Sequence, residues 1–441
     1  MPTNRTPLAI VNFANALLAG PWTYRSMVAR GNKALPGHVA WMRKSVRHIL
    51  NQLGSETAPL FHELLALLTC DARVSHAIAS IQIGKYYWLP NTMSPRGVAA
   101  QSWSVPPLTS LGQLADWLGI SHAHLDWFAD IHGWTAQHPS LQLRHYACLW
   151  KSRRQGRCRL LESPKAKLKA LQRKILHGIL DHIPPHPAAH GFRPGRSIVT
   201  YAQPHVSQKI VLRFDLRDFF STVRPSRIHA IFRTAGYPQN VARLLTGLCT
   251  SHVPLDVWEH RPDPRDTDAK LWEKLRGPHL PQGAPTSPAL ANLCAYRLDL
   301  RLHGLAQSLQ AVYTRYADDL AFSGGDQLAR SSRRVQIAVA VIAAEEGFDL
   351  HFQKSRFMRQ AVCQQLAGVV VNERPNIRRD VFDALKAILT NCVRHGPDKQ
   401  NRDNHPDFRR HLLGRIAHVK MIHPQRGAKL QSIFDRIKWD S

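Results

Sequence analysis

Acidic side chains are scarce in this chain. Only 31 Asp and Glu stand against 59 Lys and Arg, a net charge of +28 over 441 residues. An excess that large, spread along the whole length, suits a polyanionic partner better than a set of solvated faces. It predicts binding to nucleic acid that weakens steeply with salt. Cysteine is sparse too. The seven residues at 70, 148, 158, 249, 294, 363 and 392 are scattered, and no pair has metal-ligand spacing. That excludes a zinc site and a disulfide framework and fits a reducing cytoplasm. Cys294 and Cys392 fall in apolar helical patterns as small core residues. No apolar run is long enough to span a bilayer, so no membrane partner is expected. The stretch 7–19 resembles a signal peptide only superficially. Asn12 and Asn15 interrupt it, while Ile10, Phe13, Ala14, Leu17 and Leu18 share one face, as in an amphipathic helix.

Apolar content of 44% and charged content of 20% are those of a globular chain, long enough for more than one subdomain. Helices are expected at 8–19, 38–53 and 57–70. Residues 108–118 and 121–129 form a helix-turn-helix pair with Ser110 and Ser121 as N-caps. Such a pair reads as a packing unit rather than a DNA reader. Residues 84–107 hold four Pro, two Trp and two Tyr and suit either a linker or a stacking surface for bases.

The few acids are not placed at random. Val312-Tyr313-Thr314-Arg315-Tyr316 and Leu320-Ala321-Phe322-Ser323 flank Asp318-Asp319, the pattern of a β-hairpin with two carboxylates at its tip. Adjacent carboxylates repel and need a cation or water. Upstream, Lys209–Phe214 reads as a buried strand and Asp215 follows it directly. Asp215, Asp318 and Asp319 would then meet across one sheet as a site for two Mg²⁺ ions. One ion would activate a 3′-hydroxyl and the other would hold a triphosphate and its leaving group.

Two basic segments precede Asp215. Strands near 146–150 and 157–161 enclose Lys151, Arg153, Arg154, Gly156 and Arg157, a cationic hairpin. A helix from Ser163-Pro164 to about Leu180 carries Lys165, Lys167, Lys169, Arg173 and Lys174 opposite the apolar face of Leu168, Leu171, Ile175, Leu176 and Ile179. His182, His186 and His190 have helical metal-ligand spacing, but Pro184, Pro185 and Pro187 forbid that helix and the metal site with it. Ser287 and Pro288 start a helix as N-cap and first residue, running to about Leu305. A helix over 327–346 ends at Gly347, and Phe348–Phe352 follows as a strand. Asp218 reads as a helix cap or exposed acid.

Tyr316-Ala317-Asp318-Asp319 resembles the catalytic box of reverse transcriptases. Phe214-Asp215-Leu216-Arg217-Asp218-Phe219-Phe220 resembles their first carboxylate motif, and Leu280-Pro281-Gln282-Gly283-Ala284-Pro285-Thr286-Ser287-Pro288 their nucleotide-pocket motif. All three occur in the family order, and the bacterial retron enzymes are the nearest set. The resemblance covers about 145–440. It implies an α+β right-hand polymerase: a helical N-terminal region (1–140), fingers (141–208), a palm (209–375, with an insertion at 252–279) and a helical thumb (376–441). It further implies catalytic and metal-binding roles for Asp215, Asp318 and Asp319, and nucleotide contacts from Arg159, Lys169, Phe220, Gln282, Gly283 and Lys354. Nucleic acid would be held by Arg153, Arg154, Arg157, Lys165 and Arg196. Phe220 stands where a bulky ring lies under the sugar and clashes with a 2′-hydroxyl, which favours DNA synthesis. Lys354 would be either a general acid for pyrophosphate or a surface lysine. Gln365–Asn372 resembles the primer-grip hairpin.

Two positions depart from the retron pattern: Tyr201 replaces the Asn of Asn-Ala-x-x-His, and Leu366-Ala367 replace Val-Thr before Gly368. The resemblance implies copying of a structured template RNA into DNA from deoxynucleoside triphosphates, started from an RNA 2′-hydroxyl, to give a branched RNA–DNA hybrid in anti-phage defence, with room for an effector protein. No endonuclease metal motif follows the thumb. Rival readings are another bacterial reverse transcriptase, group II intron-like or defence-associated, and an idle RNA-binding scaffold.

Overall fold

The computed structural model describes residues 8–439 except 38, 55–58, 60, 73, 75, 76, 78–82, 88–91, 139, 153–157 and 263–268. The chain divides into two compact units after Thr92. In the first, helices Leu8–Leu18, Tyr24–Ala34, Val39–Leu53 and Phe61–Cys70 bury Phe13, Leu17, Met27, Leu35, Met42, Val46 and Leu64 together. Asn12 interrupts the apolar pattern for a reason. It is buried, its Nδ2 donates to the Lys85 carbonyl at 2.9 Å, and its Oδ1 accepts from the Tyr87 amide at 2.8 Å. A satisfied amide there fastens a neighbouring extended segment.

The second unit begins at Met93, within the helical region expected over 1–140. Helices Leu111–Leu118 and His122–Ala129 bury Leu114, Leu118, Leu125 and Ala129 in the same core as the central strand. Their caps are the expected ones: Ser110 Oγ accepts from the Gln113 amide and Ser121 Oγ from the His124 amide.

Strands β1 (Tyr146–Ser152) and β2 (Cys158–Pro164) form an antiparallel hairpin, and helix Ala166–Gly178 follows. The central sheet is built on β3 (Ile210–Arg217), whose apolar residues are buried on both faces. β4 (Val312–Tyr316) pairs with β5 (Asp319–Gly324), and β5 pairs with β3. β6 (Asp349–Leu350) and β7 (Arg356–Arg359) share the other edge of β3. β8 (Gln365–Leu366) and β9 (Val369–Val370) make a hairpin turned at Ala367 (φ 45°) and Gly368 (φ 88°), positive angles that suit a two-residue turn. Helices Arg379–His395, Phe408–Ile422 and Pro424–Phe434 close around Leu385, Leu389, Leu412, Ile416 and Leu430. Mixed helices and antiparallel strands make this an α+β architecture.

Three local expectations change. Ser287 does not cap a helix, because its hydroxyl donates to the Pro281 carbonyl at 2.6 Å and the residue is already helical. The helix it starts ends at Cys294 and a second runs from Tyr296 to Ser308. Arg227 takes the Cys294 carbonyl at the break, at 2.6 Å. The strand expected over 348–352 is confined to Asp349–Leu350, since Phe352–Lys354 turns into a 3₁₀ helix.

Candidate active site

Asp215 lies directly opposite Asp319 in the β3–β5 register, and the Leu216 amide donates to the Asp318 carbonyl at 2.9 Å. The sheet therefore brings Asp215, inside β3 rather than just beyond it, to the hairpin tip. The tip itself is strained: Ala317 has φ 56°, unusual for a residue with a Cβ. Its carbonyl accepts from Arg315 Nη1 at 3.0 Å. Arg315 is fully buried and forks onto Asp299 at 2.7 Å through both Nε and Nη2, while Nη1 also donates to Asn292 Oδ1 at 2.9 Å. Asn292 in turn donates to the Gly191 carbonyl at 2.8 Å, and a Cβ on Gly191 would come within 2.7 Å of the Ala317 amide. A buried, fully bonded ion pair thus holds the turn that presents Asp318.

The three acids differ in their partners. Asp215 Oδ1 accepts from Lys354 Nζ at 2.6 Å. Asp319 is gripped by Arg213, with contacts of 2.7 and 2.9 Å from Nη2 and 2.9 Å from Nε. No cation lies within ion-pair distance of Asp318 among the described residues. Burial, then the charges of Asp215 and Asp319, push its carboxyl up to about 6. Asp319 is also raised, by burial first, with Arg213 opposing. Among the described residues no group of three His, Cys, Asp or Glu side chains is already gathered as a metal site, and Asp319 spends its carboxylate on Arg213. Asp215 and Asp318 remain as a carboxylate pair suited to a divalent cation.

Both acids line a cleft of about 810 Å³. Of the residues singled out in the sequence, Arg159, Phe220, Gln282 and Lys354 share its wall. Lys169, Gly283, Lys165 and Arg196 do not. Lys165 Nζ instead donates to the carbonyls of Leu141 and Gln142, at 2.6 and 2.9 Å. Gly283 makes a close approach, but to protein: at φ 137° a Cβ would meet the Glu162 carbonyl at 2.8 Å. The neighbouring Gln282 carbonyl accepts from the Glu162 amide at 2.9 Å. Arg153, Arg154 and Arg157 lie outside the described residues. Phe220 faces Phe192, ring centroids 6.1 Å apart, and Phe192 holds φ 59°.

Several cleft residues carry no signal of their own in the motifs. Arg217 lines the cleft on the face of Asp215, which the period of two along β3 could have revealed, and Arg213 shares that face without lining the cleft. Leu271 and Leu275 belong to the 252–279 segment, where composition is uninformative. From the same helix, Ala269–Arg276, Lys274 Nζ stands 3.4 Å from Asp218 and 3.5 Å from Asp349. Glu162, also of the wall, has Oε2 2.9 Å from His279 Nε2, both residues buried. Burial disfavours both charges, yet their mutual attraction wins: Glu162 is lowered and His279 raised. His205, of the Tyr201–His205 stretch, is buried with Nδ1 2.6 Å from Ser323 Oγ and Nε2 2.7 Å from Thr314 Oγ1, bracing β4 and β5. Burial, with His190 adding, lowers it to about 3. Tyr201 is buried beside it and against Tyr316, centroids 6.2 and 5.7 Å away, so the departure from Asn places a core ring. His190 likewise serves structure, its Nδ1 3.0 Å from Thr200 Oγ1.

Asp215 on β3 and Asp318 at the hairpin tip open on a cleft of mixed charge with an aromatic wall, the arrangement expected at the centre of a right-hand polymerase. A family model described as reverse transcriptase (RNA-dependent DNA polymerase) matches residues 151–400. Over 293 residues the chain is 40% identical to the retron Mx65 reverse transcriptase of Myxococcus xanthus, covering 66% of this chain and 65% of that one. It is 35% identical over 344 residues to the retron Mx162 reverse transcriptase of the same organism, covering 74% and 67%. It is 31% identical over 237 residues to the retron Ec86 reverse transcriptase of Escherichia coli, covering 53% and 65%. The chain belongs to the reverse transcriptase family, and with it to the right-hand polymerase fold. It spans about two thirds of the length of these relatives. No helix among the described residues is long and apolar enough to cross a membrane.

Proposed function

We propose that this protein is an RNA-directed DNA polymerase of the retron type, with Asp215 and Asp318 as its catalytic acids. The observation that carries the reading is the pairing of those acids at the cleft, with Asp318 raised to about 6 and no cation in ion-pair distance of it among the described residues. An acid so disfavoured alone is stabilised by a dication. Asp215 and Asp318 would hold Mg²⁺, with Asp319 assisting once its contact with Arg213 gives way. When bound, two such ions activate the primer hydroxyl and stabilise the departing pyrophosphate.

The chain's own groups do the rest. Phe220 stacks under the deoxyribose and rejects a 2′-hydroxyl. Gln282 orients the nucleotide from the opposite wall. Arg159 approaches the triphosphate from β2. Lys354 leaves Asp215 as the site fills and can give its proton to pyrophosphate. Residues 141–208 serve as fingers, 209–375 as palm and 376–441 as thumb, with the basic helices holding an RNA–DNA duplex. On this reading the template is a dedicated structured RNA, the product a branched RNA–DNA hybrid, and the role one in cytoplasmic defence. Primer extension on poly(rA)/oligo(dT) with Mg²⁺ tests the chemistry. Wild type should incorporate dTTP and Asp318→Asn should not; equal incorporation by both would remove the assignment.

A further inference from the structure

We infer that Arg217 is a substrate-binding residue, whose guanidinium takes the terminal phosphates of the incoming nucleotide. The inference rests on the polymerase reading and adds a cation to it. Arg217 ends β3, two residues beyond Asp215 on the same face, about 7 Å along the strand. It is half-buried in the cleft wall that also holds Asp215, Asp318, Phe220 and Gln282.

Its surroundings are acidic, yet it takes none of the acids. Asp349 sits directly opposite in the β3–β6 register, but Lys274 meets that carboxylate instead, at 3.5 Å. Lys274 also stands 3.4 Å from Asp218. Arg213 is committed to Asp319 and Lys354 to Asp215. Arg356 donates to the carbonyls of Gln353 and Ser355, at 2.9 and 3.0 Å. No acidic oxygen lies within ion-pair distance of Arg217 among the described residues. A partly desolvated guanidinium that leaves a cross-strand carboxylate to another residue is poised for an anion from outside. Its planar fork fits two phosphate oxygens at once. With the α-phosphate at the two acids and the sugar against Phe220, the β- and γ-phosphates are the oxygens within its reach.

The same chemistry could come from a backbone phosphate of the template–primer, so the test separates the two. The full chain is bound to an RNA template with a dideoxy-terminated DNA primer and titrated with dTTP or dTMP opposite template rA, in Mg²⁺. Arg217→Gln should weaken dTTP binding about tenfold or more, the loss expected for a charged hydrogen-bonding fork. Binding of dTMP and of the primer–template should stay within about twofold of wild type. Arg217→Lys, which keeps the charge and loses the fork, should fall between. The inhibition constant for pyrophosphate should rise in parallel with dTTP. Unchanged dTTP affinity in Arg217→Gln, or a matching loss of primer–template affinity, overturns the inference. A wild-type complex that binds duplex but no dTTP would instead overturn the polymerase reading.

Discussion

Lys354 Nζ lies 2.6 Å from Asp215 Oδ1, so a lysine occupies the carboxylate face that a metal ion would need. Lys354→Ala should therefore lower the Mg²⁺ concentration for half-maximal activity several-fold. It should also cut the maximal rate about 100-fold if the lysine supplies the proton for pyrophosphate. A Mg²⁺ titration of primer extension reads both at once. A surface lysine would move neither.

Asp299 and Arg315 offer a test of the support beneath the hairpin. Removing one partner strands a buried charge, so Asp299→Leu or Arg315→Met alone should cost about 3–5 kcal/mol. The double variant should recover a good part of that loss, because no charge is left uncompensated. Denaturant unfolding of all four proteins measures it, and additive losses would count against the pairing as described.

The Glu162–His279 pair gives a pH dependence. His279 is raised above its usual 6.5, so its contribution is complete below that value and fades as pH rises through the folded pKa. Glu162 is lowered below its usual 4.5, so its contribution is complete above that value and fades as pH falls through its folded pKa. Their joint contribution is greatest between about 4.5 and 6.5. Thermal melts of His279→Gln should show a flatter alkaline decline than wild type; parallel curves would contradict the ion pair.

Phe220 and Phe192 form the aromatic side of the cleft. Phe220→Val should raise ribonucleotide use relative to deoxynucleotide use by about tenfold or more, in kcat/KM measured on one template. An unchanged ratio would return Phe220 to the core.

The strand before Asp215 and the Asp318-Asp319 hairpin are legible in the sequence from their apolar runs, although the strand continues through Asp215 to Arg217 because β5 and β6 pair with it there. The caps at Ser110 and Ser121 are legible for the same kind of reason, since local chemistry decides them. Ser287 misleads because its hydroxyl is used by the Pro281 carbonyl, a tertiary choice that no local pattern records. Gly283 suggests room for a nucleotide, whereas the room is taken by Glu162 of β2. The contribution of Leu271, Leu275 and Lys274 cannot be read from residues 252–279. It depends on where that excursion lands, and only the folded chain fixes that.

On β3, Arg213, Asp215 and Arg217 share one face, while Ile210, Leu212, Phe214 and Leu216 go to the main core. A slip of one residue between β3 and β5 would turn three charges into the main core and lose the packing of four apolar side chains there. Such a misassembled centre could not survive as a folded protein. Any molecule stable enough to persist in solution has already aligned its chemistry, so solubility itself acts as quality control on the active site.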